Sequence, residues 1–519
     1  MKFLLTIIQA VGLGCASAAA GRRVLHYLQL ESYQLPGYVK SVRRNAMRAL
    51  IPPIAMAAVG VAALRLSGLT GLALLLEALT AALLVWQAAK EKAKKPFVAT
   101  ERVKRLLAVH AAVNTVLALA LLTVSPVLGY LMPAFEPALL MLAALIAAPM
   151  EKHIAGQFIK DAQARLAAQP GLIKIGITGS YGKTSVKFIL GTILQEKYQT
   201  LITPSSFNTP MGVTKIIRER LTPATQVFVA EMGARHVGDI KELCRLVHPR
   251  YGVLTSVGPQ HLDTFHTLER IKNTKYELMD AVPADGCCFF PDDGAICREL
   301  YDRTEKEKRL CCLHYSPDAD VWATDVTVSP MGSRFVLHTS AEEIACETRL
   351  LGEHNIQNIL LAATVALHLG LTMRQVARGI SKLQPVEHRL QLIPSPGITI
   401  IDDAFNSNPK GAEAAVKVLG AFQARRIIIT PGMVELGGQE AAFNREFGRK
   451  ICGNADIAIL VGKKHTQPIA EGLLAAGFPQ GNLHVVASLD EATVLLRQIG
   501  RPGDIAMFEN DLPDHYSET

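Results

Sequence analysis

The hydrophobic residues of this chain are concentrated in its first 150 positions, where they form long runs with few polar interruptions. The runs are Met1–Ala20, Ala49–Leu64, Gly68–Ala89, Leu106–Leu128 and Ala134–Ala148. A helix needs about 20 apolar residues to cross a bilayer, because its backbone groups must be satisfied internally there. The pattern therefore predicts an α-helical transmembrane domain of about five spans over residues 1–150.

The first run has a second interpretation. Ser17-Ala18-Ala19-Ala20 resembles the small-residue cleavage site of a secretory signal peptide. A secreted protein would leave the four later runs unexplained, so we favour membrane spans. Arg65 and Glu77 are polar residues within or beside the runs, which suggests a pocket, a helix contact or a position near the membrane boundary.

Two strongly basic loops separate the runs and indicate an orientation. Their cations are Arg22, Arg23, Lys40, Arg43, Arg44 and Arg48 in the first loop and Lys90, Lys92, Lys94, Lys95, Arg102, Lys104 and Arg105 in the second. The turns near Arg65–Ser67 and Ser125–Pro133 carry little charge. By the positive-inside rule the basic loops are cytoplasmic, and five spans place everything after Met150 in the cytosol. Contact of the basic loops with anionic membrane lipid is a further expectation that the topology does not require.

From Glu151 onward the pattern changes to short apolar runs that alternate with amphipathic stretches. The strand candidates are Leu172–Thr178, Gln226–Ala230, Tyr251–Ser256, Ile398–Ile401, Arg426–Thr430 and Ile457–Val461, and the helix candidates are Lys152–Ala168, Thr184–Glu196, Lys410–Gln423 and Gln439–Cys452. Such alternation predicts two successive α/β domains with parallel sheets. We expect domains at 151–385 and 386–519, with the boundary near Gln384–His388.

Composition limits the class of protein further. A length of 519 residues predicts about three domains at roughly 150 residues each. With 49% hydrophobic and 19% charged residues, the chain is neither disordered nor fibrous. The net charge of +8 is modest, and we expect no nucleic-acid partner. Nine cysteines without a CxxC or Cys/His cluster are typical of a reducing compartment rather than of a disulfide framework or a zinc site.

The segment with the clearest chemistry is GITGSYGKTS, residues 176–185, between a strand candidate and a helix candidate. Glycines let backbone N–H groups surround a phosphate chain, and a helix N-terminus favours its negative charge. We predict that Lys183 reaches the β- and γ-phosphates and that the Thr184 hydroxyl holds Mg²⁺. The predicted nucleotide-binding residues of this loop are Gly179, Ser180, Tyr181, Gly182, Lys183, Thr184 and Ser185.

Two further residues lie at the ends of strand candidates, where they could reach this loop. Glu231 ends an apolar strand, and an acid in that position can hold Mg²⁺ beside a phosphate loop. His261 follows the strand Tyr251–Ser256, and its imidazole could hold a second metal. The alternatives are a solvated carboxylate at the strand end and a structural histidine.

An ordered set of segments from about residue 172 to about 505 resembles the Mur ligases, the ATP-dependent amide-forming enzymes of peptidoglycan precursor synthesis, and specifically their MurF-like branch. The segments are Thr178–Ser185, Ser206–Gly212, Val229–Ala234, Gln260–Asp263, Lys275–Glu277, Gly352–Asn358, Glu387–Arg389, Ile401–Pro409 and Gly432–Gly437. Any one of them could arise by chance, but their order along the chain is specific.

The resemblance implies a fold, a reaction and roles for particular residues. It implies a P-loop ATPase domain followed by a Rossmann-like C-terminal domain. ATP and Mg²⁺ would convert a carboxylate into an acyl phosphate, which an amine then attacks to give an amide. The implied catalytic residues are Lys183, Glu231, His261 and Lys275, and the implied metal site consists of Thr184, Glu231, His261 and Lys275, the last as a carbamoylated lysine. Asn355 and Asn358 would contact adenine, and Arg389 and Asp403 would approach the ribose and phosphates.

Two departures from the family pattern leave the substrates open. Membrane spans replace the N-terminal domain that grips the UDP-sugar, and Phe508–Asp514 replaces a basic K-G-S-R segment. We expect a carboxylate-bearing cell-wall precursor, UDP-linked or lipid-linked, and an amino-acid or dipeptide amine. The alternatives are an amide ligase on a substrate outside peptidoglycan, a nucleotide-driven membrane transporter or sensor, and a nucleotide-binding scaffold without catalysis.

Overall fold

The computed structural model describes residues 2–90, 96–205, 207–329, 331–395, 397–405 and 407–511. Ser206, Asn406, the lysines at 92, 94 and 95 and the segment 512–514, all of which enter the predictions from sequence, lie outside the described residues. The chain divides into two compact units, one up to Gln157 and the other from Phe158 onward.

The first unit is entirely helical. Its helices are α1 (Lys2–Ala20), α2 (Arg22–Leu30), α3 (Leu35–Arg44), α4 (Ala46–Ser67), α5 (Thr70–Lys90), α6 (Glu101–Val124), α7 (Pro126–Leu131) and the first part of α8 (Glu136–Ala167), with a 3₁₀ turn at Met132–Phe135. Among the described residues, five helical segments are long and apolar enough, by length and composition, to cross a membrane: α1, α4, α5, α6 and the stretch from α7 through α8. Large apolar side chains such as Leu66, Val116 and Val124 are exposed on this unit.

One local prediction for this unit is wrong, and two predicted helices are confirmed but are not separate. The expected turn at Ser125–Pro133 is largely helical. Only Ser125 is extended, and Pro126 takes the first position of α7, where its missing N–H costs nothing. The predicted span Ala134–Ala148 and the predicted helix Lys152–Ala168 are one continuous helix, α8, which contains Pro149. The boundary expected after residue 150 therefore falls inside a helix.

A polar cluster lies buried inside this unit, on three different helices. The Ser17 Oγ donates to Glu136 Oε2 at 2.7 Å, and His110 Nε2 lies 2.9 Å from Glu136 Oε1. The Asn114 amide donates to Glu136 Oε2 at 3.3 Å. Glu77 is also fully buried, and the described residues give its two carboxylate oxygens no hydrogen-bond partner. The structure thus places Glu77 at an internal helix contact, whereas Arg65 is exposed.

The second unit begins with a nine-stranded sheet that carries the predicted phosphate loop. Its strands are β1 (Ile173–Thr178), β2 (Thr200–Ile202), β3 (Val227–Glu231), β4 (Tyr251–Leu254), β5 (Cys287–Pro291), β6 (Lys308–Cys312), β7 (Val321–Ser329), β8 (Gly332–His338) and β9 (Glu343–Thr348). They lie side by side in the order β2-β3-β1-β4-β5-β6-β7-β8-β9. The strands from β2 to β7 pair in parallel, and β3, β4 and β5 are almost fully buried, as parallel strands covered on both faces are.

A smaller, six-stranded sheet follows. Its strands are β10 (Gln391–Ser395), β11 (Ile398–Asp403), β12 (Arg426–Thr430), β13 (Ile457–Val461), β14 (Leu483–Val486) and β15 (Ile505–Glu509), in the order β10-β11-β15-β12-β13-β14. All pairs in this sheet are parallel except β10 with β11.

Helices cover both sheets. They are the end of α8 and α9 (Lys183–Leu194), α10 (Pro210–Arg220), α11 (Asp239–Val247), α12 (Leu262–Phe265), α13 (Leu268–Ala281), α14 (Ile296–Arg303), α15 (Glu353–His368) and α16 (Met373–Ser381) on the first sheet, and α17 (Pro409–Gly420), α18 (Glu440–Ile451), α19 (Gln467–Ala475) and α20 (Leu489–Ile499) on the second, with 3₁₀ turns at Gly437–Gln439 and Gln480–Asn482. Ala162 and Leu166 of α8 belong to a core that also contains Leu172 of the following connection.

The expectation of parallel sheets holds for most strands but is wrong at two edges. β8 pairs antiparallel with both β7 and β9, and β10 pairs antiparallel with β11. The connections between these strands are too short for the crossover that a parallel pair requires. Burial in β7 also alternates along the strand, as it does where one face meets water.

Candidate active site

The predicted phosphate loop lies between β1 and α9, at the carboxyl end of the parallel strands. Gly179 and Gly182 have φ angles of +152° and +79°. Gly182, which comes directly before α9, is in the left-handed region. A side chain at Gly182 would be strained, and its Cβ would lie 3.0 Å from the Asn358 amide oxygen. The glycines therefore give the loop the tight path by which it enters the N-terminus of α9, and a helix N-terminus favours a phosphate.

The segment after β4 holds this loop in place. The backbone N–H groups of Ser180 and Tyr181 donate to the carbonyl and the hydroxyl of Ser256, each at 2.8 Å. The Ser180 hydroxyl donates to the Gly258 carbonyl at 3.0 Å, and the Tyr181 hydroxyl donates to the Pro259 carbonyl. Ser185 is half-buried in the first turn of α9, and no hydrogen bond of its side chain is formed within the described part of the chain.

Lys183 begins α9, and its side chain folds back onto the loop. The Nζ donates to the carbonyls of Gly179 and Ser180 at 2.6 and 3.0 Å. Burial lowers the pKa of Lys183 to about 8, while the Glu231 carboxylate opposes that shift and the Arg389 guanidinium adds to it. The ammonium therefore lies where it can neutralise a phosphate chain that the loop would hold.

Glu231, at the end of β3, is the centre of a compact hydrogen-bonded group. Its carboxylate accepts from the Thr184 hydroxyl at 3.0 Å, from the Lys187 Nζ at 2.9 Å and from the Asn208 amide at 3.0 Å. Burial alone would raise the pKa of Glu231, but Lys187 and Lys183 hold it below its ordinary value. Glu231 is therefore ionised, buried and fixed beside the Thr184 hydroxyl, which was predicted from the sequence to share a metal ion with it.

His261 and Lys275 lie on the segments that follow β4. His261 has a φ of +51°, and its Nδ1 lies 2.7 Å from the Glu435 carboxylate. Burial lowers the pKa of His261, and Glu435 opposes that shift. Lys275 is 1% exposed on α13, where its Nζ lies 6.0 Å from the centre of the Phe265 ring. Burial, with a smaller contribution from Lys183, lowers the pKa of Lys275 well below its usual range, which favours the neutral amine.

The predicted nucleotide residues from later segments are distributed over both sheets. Asn355 donates to the Leu351 carbonyl at 2.9 Å, and Asn358 approaches the loop at Gly182. Burial lowers the pKa of Arg389, although Asp403 and Glu231 both oppose the shift. Burial and the nearby Glu509 raise the pKa of Asp403 to about 8, and Asp403 accepts from the Leu390 N–H at 3.1 Å. Arg389 thus lies within electrostatic reach of the phosphate loop, whereas Asp403 is tied into the second sheet.

Two members of this site, Lys187 and Glu435, were not predicted from the sequence. Lys187 lies four residues after Lys183, so a helix places both side chains on one face. Glu435 belongs to the family-like segment Gly432–Gly437, but no role was assigned to it. Its contact with His261 joins the two α/β parts of the second unit, and no pattern within either segment predicts that contact.

Two family models match the second unit. The Mur ligase middle domain matches residues 177–366, and the glutamate ligase domain of Mur ligases matches residues 388–508. A UDP-N-acetylmuramoyl-tripeptide–D-alanyl-D-alanine ligase from Mycobacterium bovis is 32% identical over 360 residues, which cover 65% of this chain and 70% of that protein. The chain belongs to the Mur ligase family. It is accordingly an ATP-dependent, ADP-forming ligase.

Solved structures support the same assignment of the Mur ligase fold. MurF from Acinetobacter baumannii matches with a TM-score of 0.63 and 26% identity, over 69% of this chain and 77% of that one. MurF from Thermotoga maritima in complex with ADP matches with a TM-score of 0.62 and 22% identity, over 70% of this chain and 82% of that one, and this likeness concerns the fold alone. Both family models begin after α8, so the helical first unit lies outside the residues that they match.

Proposed function

We propose that this Mur ligase uses MgATP to activate the carboxylate of a cell-wall precursor as an acyl phosphate, which an amino-acid or dipeptide amine then captures. The observation that carries the proposal is the contact of Glu231 with Thr184, next to Lys183, whose ammonium bonds the phosphate loop. This arrangement provides a cation for the phosphates and a fixed carboxylate for a metal ion.

The residues around Glu231 fit a magnesium ion. Mg²⁺ prefers oxygen ligands, and the Thr184 hydroxyl and the Glu231 carboxylate supply them side by side. His261 could hold a second metal through the ring nitrogen that Glu435 does not contact, since the contact at Nδ1 orients the ring. Bound Mg²⁺ would neutralise charge on the phosphates.

Basic residues of this chain can reduce the repulsion between the two anions that react, the substrate carboxylate and the γ-phosphate. A substrate carboxylate must come close to the γ-phosphate, and Lys183 and Arg389 supply positive charge near that position. The carboxylate oxygen forms a bond to phosphorus, ADP leaves, and the amine nitrogen then displaces phosphate to give the amide. Exclusion of water would protect the acyl phosphate from hydrolysis.

Lys275 is proposed to act as a carbamate. The neutral amine is the form that attacks CO₂, with formation of an N–C bond and release of a proton. Burial of Lys275 without a hydrogen-bond partner among the described residues favours that neutral form. The anionic product could then help to hold a metal ion beside His261.

We propose that the substrates are of the same chemical class as those of the relatives, without being identical to them. The relatives are named for the ligation of D-alanyl-D-alanine to a UDP-N-acetylmuramoyl tripeptide. In this chain Glu509 and Asn510 stand at the end of β15, where the family pattern has a basic segment, and Glu509 is buried against the hydroxyls of Thr430 and Ser407. We therefore propose a peptide-like amine without restricting it to D-alanyl-D-alanine.

We also propose that the first unit anchors the enzyme in the cell membrane with its catalytic unit in the cytoplasm. Five apolar helices of spanning length and the exposed apolar surface of that unit support this location. Anchoring would keep the active site near a lipid-linked or membrane-proximal precursor.

The test is ADP release by the full-length protein in detergent, with the UDP-muramoyl tripeptide as the acid and a panel of amino acids and dipeptides as amines. We expect turnover that requires both substrates and a new amide detected by mass spectrometry. Lys183→Met should lower the rate at least about 100-fold, whereas Lys382→Met, which changes an exposed lysine paired with Glu196, should not. ATP turnover that ignores every amine would contradict the proposal.

A further inference from the structure

A basic groove lies at the end of the first sheet opposite the phosphate loop. It is a cavity of about 580 Å³, lined by the connection from α8 to β1, by α11 and by the loops that precede β4 and β5. Its apolar lining includes Pro170, Leu172, Pro249 and Pro283. The groove begins at the amino end of β1, whereas the phosphate loop follows the carboxyl end of the same strand. It is therefore separate from the ATP site.

The charged lining of this groove is strongly unbalanced. Four cations, Lys174, Lys241, Arg245 and Arg250, face one carboxylate, that of Asp285. Arg250 pairs with Asp285 at 3.3 Å, which leaves three cations. The described residues give the side chains of Lys174, Lys241 and Arg245 no hydrogen bond and no ion pair. Clefts lined by charge of one sign focus the potential and concentrate counter-ions.

These cations stand on elements whose backbone is held in place. The Glu277 carboxylate accepts from the backbone N–H groups of Gly238 and Lys241 and so caps the start of α11. The Gln163 amide of α8 donates to the Arg245 carbonyl at 2.9 Å. Lys174 lies within β1, and burial lowers its pKa. The cations thus stand on a capped helix and a central strand, and the side chains of Lys241 and Arg245 are exposed to solvent.

We propose that this groove binds a phosphate-bearing anion. Three unpaired cations match the charge of a phosphate or pyrophosphate group better than that of a single carboxylate, and both guanidinium and ammonium groups bind phosphate oxygens well. The volume is that of a small-molecule site, and its apolar walls suit a ligand with an organic part. The phosphate can belong to a soluble metabolite or to an anionic lipid headgroup, because both present the same chemistry.

The test is hydrogen–deuterium exchange of the full-length protein in nanodiscs. One sample has phosphatidylcholine discs with added inorganic pyrophosphate, a second has discs that contain phosphatidylglycerol without soluble anion, and the reference has phosphatidylcholine alone. We expect slower exchange in residues 239–250 in at least one of the first two samples. Protection by pyrophosphate identifies a soluble ligand, and protection by phosphatidylglycerol identifies the lipid headgroup.

A double variant separates the groove from the phosphate loop, which also binds pyrophosphate. Lys241→Gln with Arg245→Gln should weaken binding in the groove, so that the ligand concentration for half-maximal protection of residues 239–250 rises about 100-fold. This corresponds to roughly tenfold for each charge-assisted hydrogen bond that is removed. Protection of residues 176–185 by pyrophosphate should remain, which also shows that the variant is folded. The matched control, Arg220→Gln with Arg374→Gln, removes two exposed helical cations elsewhere and should behave as the wild type. No protection of 239–250 in either sample, or equal protection in the double variant, would overturn the proposal.

Discussion

At the scale of single residues, the active site is organised around one buried carboxylate with an excess of positive charge. Lys183, Lys187 and Arg389 all act electrostatically on Glu231, and all have lowered pKa values because they are buried. Like charges four residues apart on a helix repel each other, so Lys183 and Lys187 need a common counter-ion. Glu231 supplies it, and a phosphate chain with its metal would be attracted to the remaining charge.

Lys187 is expected to position Glu231 for metal binding without touching substrate. In Lys187→Met, Glu231 loses its ion pair, and its pKa should rise because Lys187 lowers it. We expect the Mg²⁺ concentration for half-maximal activity to rise about 10- to 100-fold. Lys197→Met, which removes a lysine bonded to the carbonyls of Leu369 and Gly370, is the control and should leave that concentration unchanged. A loss of activity with an unchanged Mg²⁺ requirement would show a structural role only.

Asp504 gives a pH-dependent contribution to the stability of the second sheet. Burial alone would raise the pKa of Asp504, but its hydrogen bonds with Arg425 and with the backbone N–H of Arg501 hold it below its ordinary value. The folded state therefore binds this proton less readily than the unfolded state does. The stabilisation is present above about pH 4 and is lost as the pH falls further.

The variant Asp504→Asn tests this contribution. At neutral pH it should destabilise the protein by about 2 kcal/mol, the usual range for a hydrogen bond to a charged group. Unfolding measured at several pH values should show the difference from the wild type shrinking below about pH 4. A difference that is independent of pH would mean that the Arg425 pair does not hold the pKa of Asp504 down.

At the scale of elements, the sequence predicts best where one local pattern decides the structure. The apolar strand candidates Arg426–Thr430 and Ile457–Val461 match β12 and β13 residue for residue, because parallel strands buried on both faces are short continuous apolar runs. The phosphate loop was equally predictable, since its glycines and its Gly-Lys-Thr motif act locally. The antiparallel strands β7–β9 were missed, because their alternating, partly polar pattern is weak and their pairing depends on neighbours in space.

The same limit applies to contacts between elements. The bond between His261 and Glu435 joins residues 174 positions apart, and no spacing rule reaches so far. The fusion of two expected helices into α8 is a further case, since the helix continues through the exposed Pro149, a residue that ordinarily ends or kinks a helix. Local patterns thus revealed the loop and Glu231, whereas the arrangement around them required the fold.

The crossing of α18 and α19 shows how two glycines set the distance between helices. A Cβ at Gly448 would lie 2.2 Å from the Ile469 carbonyl oxygen, and one at Gly472 would lie 2.0 Å from the Arg445 carbonyl oxygen. Backbone atoms cannot move aside as a flexible side chain can. We therefore expect Gly472→Ala to push the helices apart and to destabilise the second sheet by about 1–3 kcal/mol.

Thermal unfolding in detergent checks this expectation. Gly472→Ala should lower the melting temperature of the catalytic unit by several degrees. Gly481→Ala in the 3₁₀ turn at Gln480–Asn482 is the control, because no atom lies within 4 Å of its added Cβ and its φ is not positive. An unchanged melting temperature for Gly472→Ala would mean that the helices separate without loss of packing.

At the scale of the whole molecule, the Mur ligase fold accounts for one of two units. The family matches residues 177–366 and 388–508, and the helical unit up to Gln157 has its own core and its own buried polar cluster. In the proposed arrangement, where this helical unit spans the cell membrane, the side on which the catalytic unit lies decides which substrates the active site meets, because ATP and nucleotide-linked precursors are cytoplasmic.

The native cysteines provide a test of that sidedness. Seven of the nine are buried, Cys15 is exposed on α1, and Cys452 is the one partly exposed thiol of the catalytic unit. If the catalytic unit is cytoplasmic, a membrane-impermeant maleimide should label Cys452 in inside-out vesicles and leave it unlabelled in intact cells. Cys452→Ser should abolish that signal, and Cys15→Ser should keep it, because α1 is predicted to lie within the bilayer. Labelling of Cys452 in intact cells would place the ATP site outside and exclude the proposed reaction there.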